Sequence, residues 1–203
     1  IRRIAEIANR NGVAFIVDNT ITPLSVAPIA MGADMVVYST TKIISGNASA
    51  LGGAVIMRAI SEGEDKFKGE RYNDVHPFIK KMGTMALIAN AKKRALRDFG
   101  MSANGFGSYI TMLGLETLPL RMDRIVATVE KVVKALSENG LQINHPSLTN
   151  HPQHERYRTQ FANGCGTLFT IDMGSKEKAF EFLNRSKLVT ITANIGDSRT
   201  LGL

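Results

Sequence analysis

With 203 residues, 44% of them hydrophobic and 21% charged, the chain has the balance of a globular protein of one or two domains with a real core. Its net charge of +7 comes from scattered Lys and Arg with no run of five, which suits solvated helix faces and argues against a nucleic-acid surface. No apolar run approaches the roughly 20 residues of a membrane span, and a single cysteine, Cys165, excludes an intrachain disulfide.

Ile1, Ile4, Ala5, Ile7 and Ala8 recur at helical spacing, and Asn11-Gly12 is the stop. Residues 14–17 form an apolar run that predicts a strand ending at Asp18. Residues 19–23 predict a turn. Residues 28–32 predict a short helix and 34–38 a second strand, which together make a βαβ unit with parallel strands. A short strand over 54–57 follows Gly52-Gly53. Residues 58–80 are polar, with Gly63, Gly69 and Pro77, and predict loop and short helix. A helix over 85–99 carries Ala95, Leu96 and Phe99 on one face and stops at Gly100.

Ser102 caps a further helix to about Leu113, and a separate helix over 120–139 carries the stripe Ile125, Val129, Val132, Val133 and Leu136. That long helix is expected to bridge two domains, 1–139 and 140–203. The second domain opens at Ile143-Asn144-His145-Pro146, and 146–163 are a connection. A strand over 167–173 follows, then a helix capped by Ser175 to about Ser186, then a strand over 188–192. Strand and helix alternate throughout, so the predicted class is α/β. There are no internal repeats.

Met35-Val36-Val37-Tyr38 is an apolar strand that surfaces at once in Ser39-Thr40-Thr41-Lys42. Ser39 and Thr41 alternate onto one face and suit a single phosphate, helped by backbone N–H groups. Ligands of open α/β sheets bind beyond the carboxyl ends of the strands, which would bring Asp18 and Lys42 to one rim. A lysine in a partly desolvated site is a nucleophile toward carbonyls. An acid, a lysine and hydroxyls together suit pyridoxal phosphate (PLP), which needs a lysine for its Schiff base, an acid on its pyridine nitrogen and donors round its phosphate.

Several stretches, in order, resemble one family. They are Asp18-Asn19-Thr20, the run from Gly32 through Lys42, the Gly52-Gly53 pair, Gly-Leu-Glu-Thr-Leu-Pro-Leu-Arg-Met at 114–122, His-Pro-Gln-His at 151–154 and Asn-Ile-Gly-Asp-Ser-Arg-Thr-Leu at 194–201. The set is similar to the Cys/Met-metabolism group of fold-type-I PLP enzymes: cystathionine synthases and lyases, methionine lyases, and sulfhydrylases acting on acylated homoserine. The resemblance implies a mostly parallel sheet flanked by helices, a large PLP-binding domain with its bridging helix over 1–139, and part of a smaller C-terminal α/β domain over 140–203.

It further implies that Lys42 holds PLP and afterwards moves the Cα proton, that Asp18 sits on the pyridine nitrogen, and that Ser39 and Thr41 touch the phosphate. Asn194 lies in a loop lining the substrate side, at a place where related enzymes often have serine. Its sequence looks most like the acylhomoserine sulfhydrylase branch. The implied reaction is γ-replacement on O-acetyl-L-homoserine, an amino-acid ester, by sulfide or a thiol, giving homocysteine or methionine and acetate. A cystathionine gamma-synthase or a carbon–sulfur lyase is the alternative. The lone cysteine fits a cytoplasmic protein, and the scattered charge and the lack of a long apolar run point to no nucleic-acid or membrane partner. The family also implies a homotetramer and a full protein about twice as long, of which this chain is an internal part. Two departures concern the substrate: Asn47 stands where many members have histidine, and the turn over 19–23 is one residue shorter than usual.

Other chemistries have weaker support. His76, His145, His151 and His154 lack the companion Cys or acid spacing of a zinc site. Cys165, before a strand-like segment, reads as a small buried residue. A non-catalytic α/β binding module would require degraded site residues, and Lys42, Asp18, Ser39 and Thr41 are intact.

Overall fold

The computed structural model describes residues 1–161 and 163–203, and these divide into two compact units. The first comprises Ile1–Asn19, Ala27–Tyr38 and Gly53–Gly105; the second comprises Thr20–Val26, Ser39–Gly52 and Phe106–Leu203.

In the first unit, helix α1 (Arg2–Arg10) ends where Gly12 turns to φ +57°. Strand β1 (Ile16–Asp18) pairs in parallel with β2 (Met35–Ser39), with Ile16 opposite Met35 and Asp18 opposite Val37. The predicted βαβ unit is therefore present, its crossover helix a single tight turn over Ile29–Met31. β1 starts later than predicted because the first donors of the apolar run go elsewhere. Ala14 N–H donates to the Tyr72 hydroxyl at 2.6 Å, and Phe15 N–H to the Asp34 carboxylate at 2.7 Å. β3 (Gly53–Met57) lies beside β2. The flanking bonds Thr40 N–H to Gly52 O and Arg58 N–H to Asp34 O run in opposite residue order, so this pair is antiparallel.

Ile60, Phe67, Val75 and Ala86 form a buried cluster, with Ala14, Tyr72, Phe78, Ile79 and Leu87 packed on it. Helices α2 (His76–Met82) and α3 (Ala86–Ala91) supply part of it. The predicted helix over 85–99 continues beyond α3 only as a wider turn over Lys92–Asp98, closed by Gly100 at φ +67°. Asp34 is 2% exposed and carries two cations, Lys66 Nζ at 2.5 Å and Arg58 at 2.8 Å. Glu64 grips the same guanidinium and, more than Asp34, holds Arg58 protonated.

In the second unit, the two helices predicted on either side of Pro119 are one, α4 (Gly105–Glu138). An interior proline removes one backbone donor and crowds the preceding turn. Tertiary packing overrides that local cost, since Leu118 and Met122 are buried on either side of Pro119. β4 (Gln142–Asn144) pairs antiparallel with β5 (Thr170–Asp172). Helix α5 (His154–Gln160) lies within the predicted connection. Ser175 caps α6 (Lys176–Arg185) as expected, its hydroxyl accepting from Lys178 N–H at 3.3 Å. β6 (Thr190–Ile191) pairs in parallel with β7 (Leu201–Gly202). β6 is shorter than the run predicted over 188–192, with Leu188 87% exposed, and β7 was not predicted.

His145 hydrogen-bonds Ser147, His151 the Asn144 side chain, and His154 the Pro146 carbonyl, so these rings pin the turns round β4. Burial, then Glu130, pushes the Cys165 thiol up to about 11, which keeps it protonated and unreactive near neutrality. Among the described residues no group of three or more His, Cys, Asp or Glu is placed to hold a metal, and no helix is long and apolar enough to cross a membrane.

Candidate active site

Beyond Tyr38 the strand β2 passes into the second unit and turns at once. Thr40 N–H donates to Gly52 O at 2.9 Å, and Gly52 N–H donates to Thr41 Oγ1 at 3.0 Å, so the segment is clipped at both ends of one residue. Ser39 N–H donates to Thr20 Oγ1 at 2.8 Å. A wide helical turn over Thr40–Ile44 follows, interrupted at Lys42, whose φ −83° and ψ −124° leave the helical region. The break aims Lys42 off the turn, while Ser45 and Gly46 resume bonding to the Thr40, Thr41 and Lys42 carbonyls.

Lys42 is half-buried, and its Nζ donates to Asn194 Oδ1 at 2.6 Å. Its partner is a neutral amide; among the described residues it makes no ion pair. The two residues are far apart in sequence, and the loop carrying Asn194 is seated by Gly196. At φ +74°, a Cβ there would come within 2.4 Å of Ile43 Cγ1 and 2.7 Å of Ile43 N. Only glycine permits that approach.

The next residue, Asp197, locks the loop from below. Its carboxylate accepts from Arg199 N–H at 2.9 Å, Nε at 3.0 Å and Nη2 at 2.9 Å. Arg199 holds the Asp197 carboxyl down to about 2. A carboxyl with a folded pKa below its unfolded value contributes stability above the unfolded pKa, and that contribution disappears as pH falls through the folded one. The stability gap between wild type and Asp197→Asn should therefore be open near pH 6 and close as pH is lowered from about 4 toward about 2. Urea midpoints of both proteins across that range would check this; a gap independent of pH would contradict it.

In the first unit, Asp18 is the last residue of β1 and is exposed. Asn19 behind it is 2% exposed and fixes the turn, as expected from the sequence: its N–H donates to Val37 O and its Nδ2 to the Tyr38 hydroxyl at 3.1 Å. Within the second unit the structure thus brings together Lys42, Asn194 and Thr41, with Ser39 half-buried at the head of the same turn.

Sequence reasoning missed Thr20, which holds Ser39, and the Asp197–Arg199 lock. It also missed Arg121, whose Nη1 donates to Ile43 O at 2.6 Å and Nη2 to Ile44 O at 2.9 Å. A signal existed for Arg121: it lies seven residues after Gly114, on one side of a helix.

The donor set fits pyridoxal phosphate. A half-buried amine held by a neutral amide is free to condense with an aldehyde. Thr41 Oγ1 accepts from Gly52, and among the described residues its own proton reaches only the Gly52 carbonyl at 3.5 Å, which leaves it available to a phosphate oxygen.

The family described as Cys/Met metabolism PLP-dependent enzymes matches residues 1–202. The chain is 33% identical over 214 residues to an O-acetyl-L-homoserine sulfhydrylase of Thermus thermophilus, covering 98% of this chain and 50% of that protein. It is 33% identical over 211 residues to a homocysteine synthase of Schizosaccharomyces pombe, covering 98% and 49%. A solved structure from Campylobacter jejuni, described as an O-acetylhomoserine (thiol)-lyase with a pyridoxyl-lysine phosphate residue, superposes with a TM-score of 0.88 at 27% identity. It covers 98% of this chain and 52% of that one. The chain spans about half the length of the curated relatives it matches. Its architecture is that of the fold-type-I PLP enzymes, and the chain belongs to the Cys/Met-metabolism family of PLP-dependent enzymes.

Proposed function

We propose that the protein replaces the acetate of O-acetyl-L-homoserine by sulfide or a thiol, giving homocysteine or methionine. The observation that supports this most is the Lys42 amine held on the Asn194 amide, in the loop whose sequence is most like the sulfhydrylase branch. Lys42 is the residue assigned to hold the cofactor, Asp18 the residue for its pyridine nitrogen, and Ser39 and Thr41 those for its phosphate. Bound pyridoxal phosphate supplies an electron sink for the charge that develops at the substrate Cα.

Lys42 Nζ, once released, takes the proton from Cα and remains beside the reacting carbons to return one. Asn194 Oδ1 orients that amine and meets the substrate side. Acetate leaves from Cγ and sulfide takes its place, so the carbon skeleton keeps its length. Residues 1–139 are assigned to the large cofactor-binding domain and 140–203 to the smaller one, in a cytoplasmic homotetramer.

A product assay tests the reading. O-Acetylhomoserine plus sulfide should yield homocysteine and acetate in equal amounts, and cystathionine alone should yield nothing. Turnover of cystathionine alone would replace the reading with a carbon–sulfur lyase. Turnover of acylhomoserine with cysteine but not sulfide would replace it with a cystathionine gamma-synthase.

A further inference from the structure

Helix α4 meets the turn after Lys42 with almost no space between the two backbones. A Cβ at Gly114 would lie 2.4 Å from Ile44 O and 2.7 Å from Ser45 Cα. Gly114, Leu118 and Met122 are buried along this face. Two turns on from Gly114, Arg121 reaches back over the same contact. Its Nη2 donates to Gly114 O at 2.7 Å as well as to Ile44 O, its Nη1 to Ile43 O, and its Nε to Thr117 Oγ1 at 3.1 Å. The guanidinium fills the place a side chain at Gly46 would take, 2.7 Å from a Cβ built there at φ +81°.

These partners are carbonyls and a hydroxyl. Among the described residues none is a carboxylate, so this cation is spent on backbone. Ile43 and Ile44, the residues it holds, follow Lys42 directly and are 0% and 7% exposed. On the other side Ile43 receives Gly196 of the Asn194 loop. The two carbonyls and the glycine contact therefore fix the turn at separate atoms, and Lys42 projects from it toward Asn194.

We propose that Arg121 is a positioning residue for Lys42, its planar fork bridging the Ile43 and Ile44 carbonyls so that the amine is presented to Asn194. The proposal rests on the assignment of Lys42 as the cofactor lysine for its consequence in catalysis, but the geometry it concerns lies in this chain's own residues. Arginine's fork serves two adjacent carbonyls at once, whereas a lysine ammonium is a point donor. With the fork gone, the turn has two buried carbonyls without their donors and loses its fixed orientation.

The test uses the full-length protein stripped of cofactor, with acylation of individual lysines by acetic anhydride followed on their peptides. Arg121→Gln is expected to label at Lys42 about tenfold faster than wild type, the factor set by losing a hydrogen bond made by a charged group. Arg121→Lys is expected to stay well above wild type. Lys66, buried against Asp34, reports on folding of the first unit, and the half-buried Cys165, followed by alkylation, on that of the second; both should react at their wild-type rates in both variants. An unchanged Lys42 rate, a parallel rise at Lys66 or Cys165, or full restoration by Arg121→Lys would each overturn the proposal. Lys42→Ala loaded with pyridoxal phosphate separates the two claims. A visible band in that variant that borohydride abolishes, leaving a pyridoxyl group fixed on another lysine, would sink the cofactor assignment, whatever the labelling shows about Arg121.

Discussion

Lys42→Ala is expected to leave a folded protein with kcat/KM for acetylhomoserine and sulfide lowered by at least the 10²–10⁴-fold, in order of magnitude, that general acid–base catalysis contributes. Among the described residues the side chain's one hydrogen bond is to the Asn194 amide and it makes no ion pair, so its removal costs little stability. Chemistry carries the loss, because among the described residues no other amine donates to Asn194. Added methylamine should restore a small part of the rate, since a free base can do part of the work without the benefit of being held in place. Steady-state kinetics with a thermal-melt control would check this. Activity within tenfold of wild type would show that Lys42 is not the proton carrier.

The largest effect on stability is expected at Asp34. This carboxylate is almost fully buried, receives Phe15 N–H, and pairs with Lys66 and Arg58. Lys66 is itself 6% exposed as a side chain, so alanine at 34 leaves a buried ammonium without its counter-charge. Breaking a buried pair from one side costs about 3–5 kcal/mol. With a urea m-value of about 1–3 kcal/mol/M, the midpoint should fall by about 1 M or more. Asp34→Ala with Lys66→Met should recover part of the loss, because the stranded charge is gone and its stem still packs. A midpoint change below about 0.3 M for Asp34→Ala alone would contradict a buried role for the network.

Lys42, the residue proposed to hold the cofactor, was legible as a candidate because its signal is local. An apolar strand ending in Ser39, Thr41 and Lys42 needs no knowledge of the rest of the chain, and the same holds for Asp18 at the end of β1. The parallel β1–β2 pair followed from the length of the segment joining them. Strand ends were less legible, because Tyr72 and Asp34 compete for the N–H groups of Ala14 and Phe15, and no local rule announces a competitor so distant in sequence. The gap expected between a helix ending near Leu113 and one starting at Leu120 is closed for a related reason: Pro119 carries a local penalty, but Leu118 and Met122 bury the helix on both sides of it. Arg121 and Thr20 stayed hidden because their partners are backbone groups of other segments, which leave no mark on residue type. The Lys42–Asn194 contact stood between these cases. Both residues were named from the sequence, yet their meeting depends on Gly196 fitting against Ile43.

The most direct test of the account is borohydride reduction of the full-length protein, with its visible absorption recorded before and after and its peptides mapped. The account predicts a visible band that reduction abolishes, with the pyridoxyl group then found on the peptide containing Lys42. A protein with no band after added pyridoxal phosphate, or a pyridoxyl group fixed on any other lysine, would contradict it.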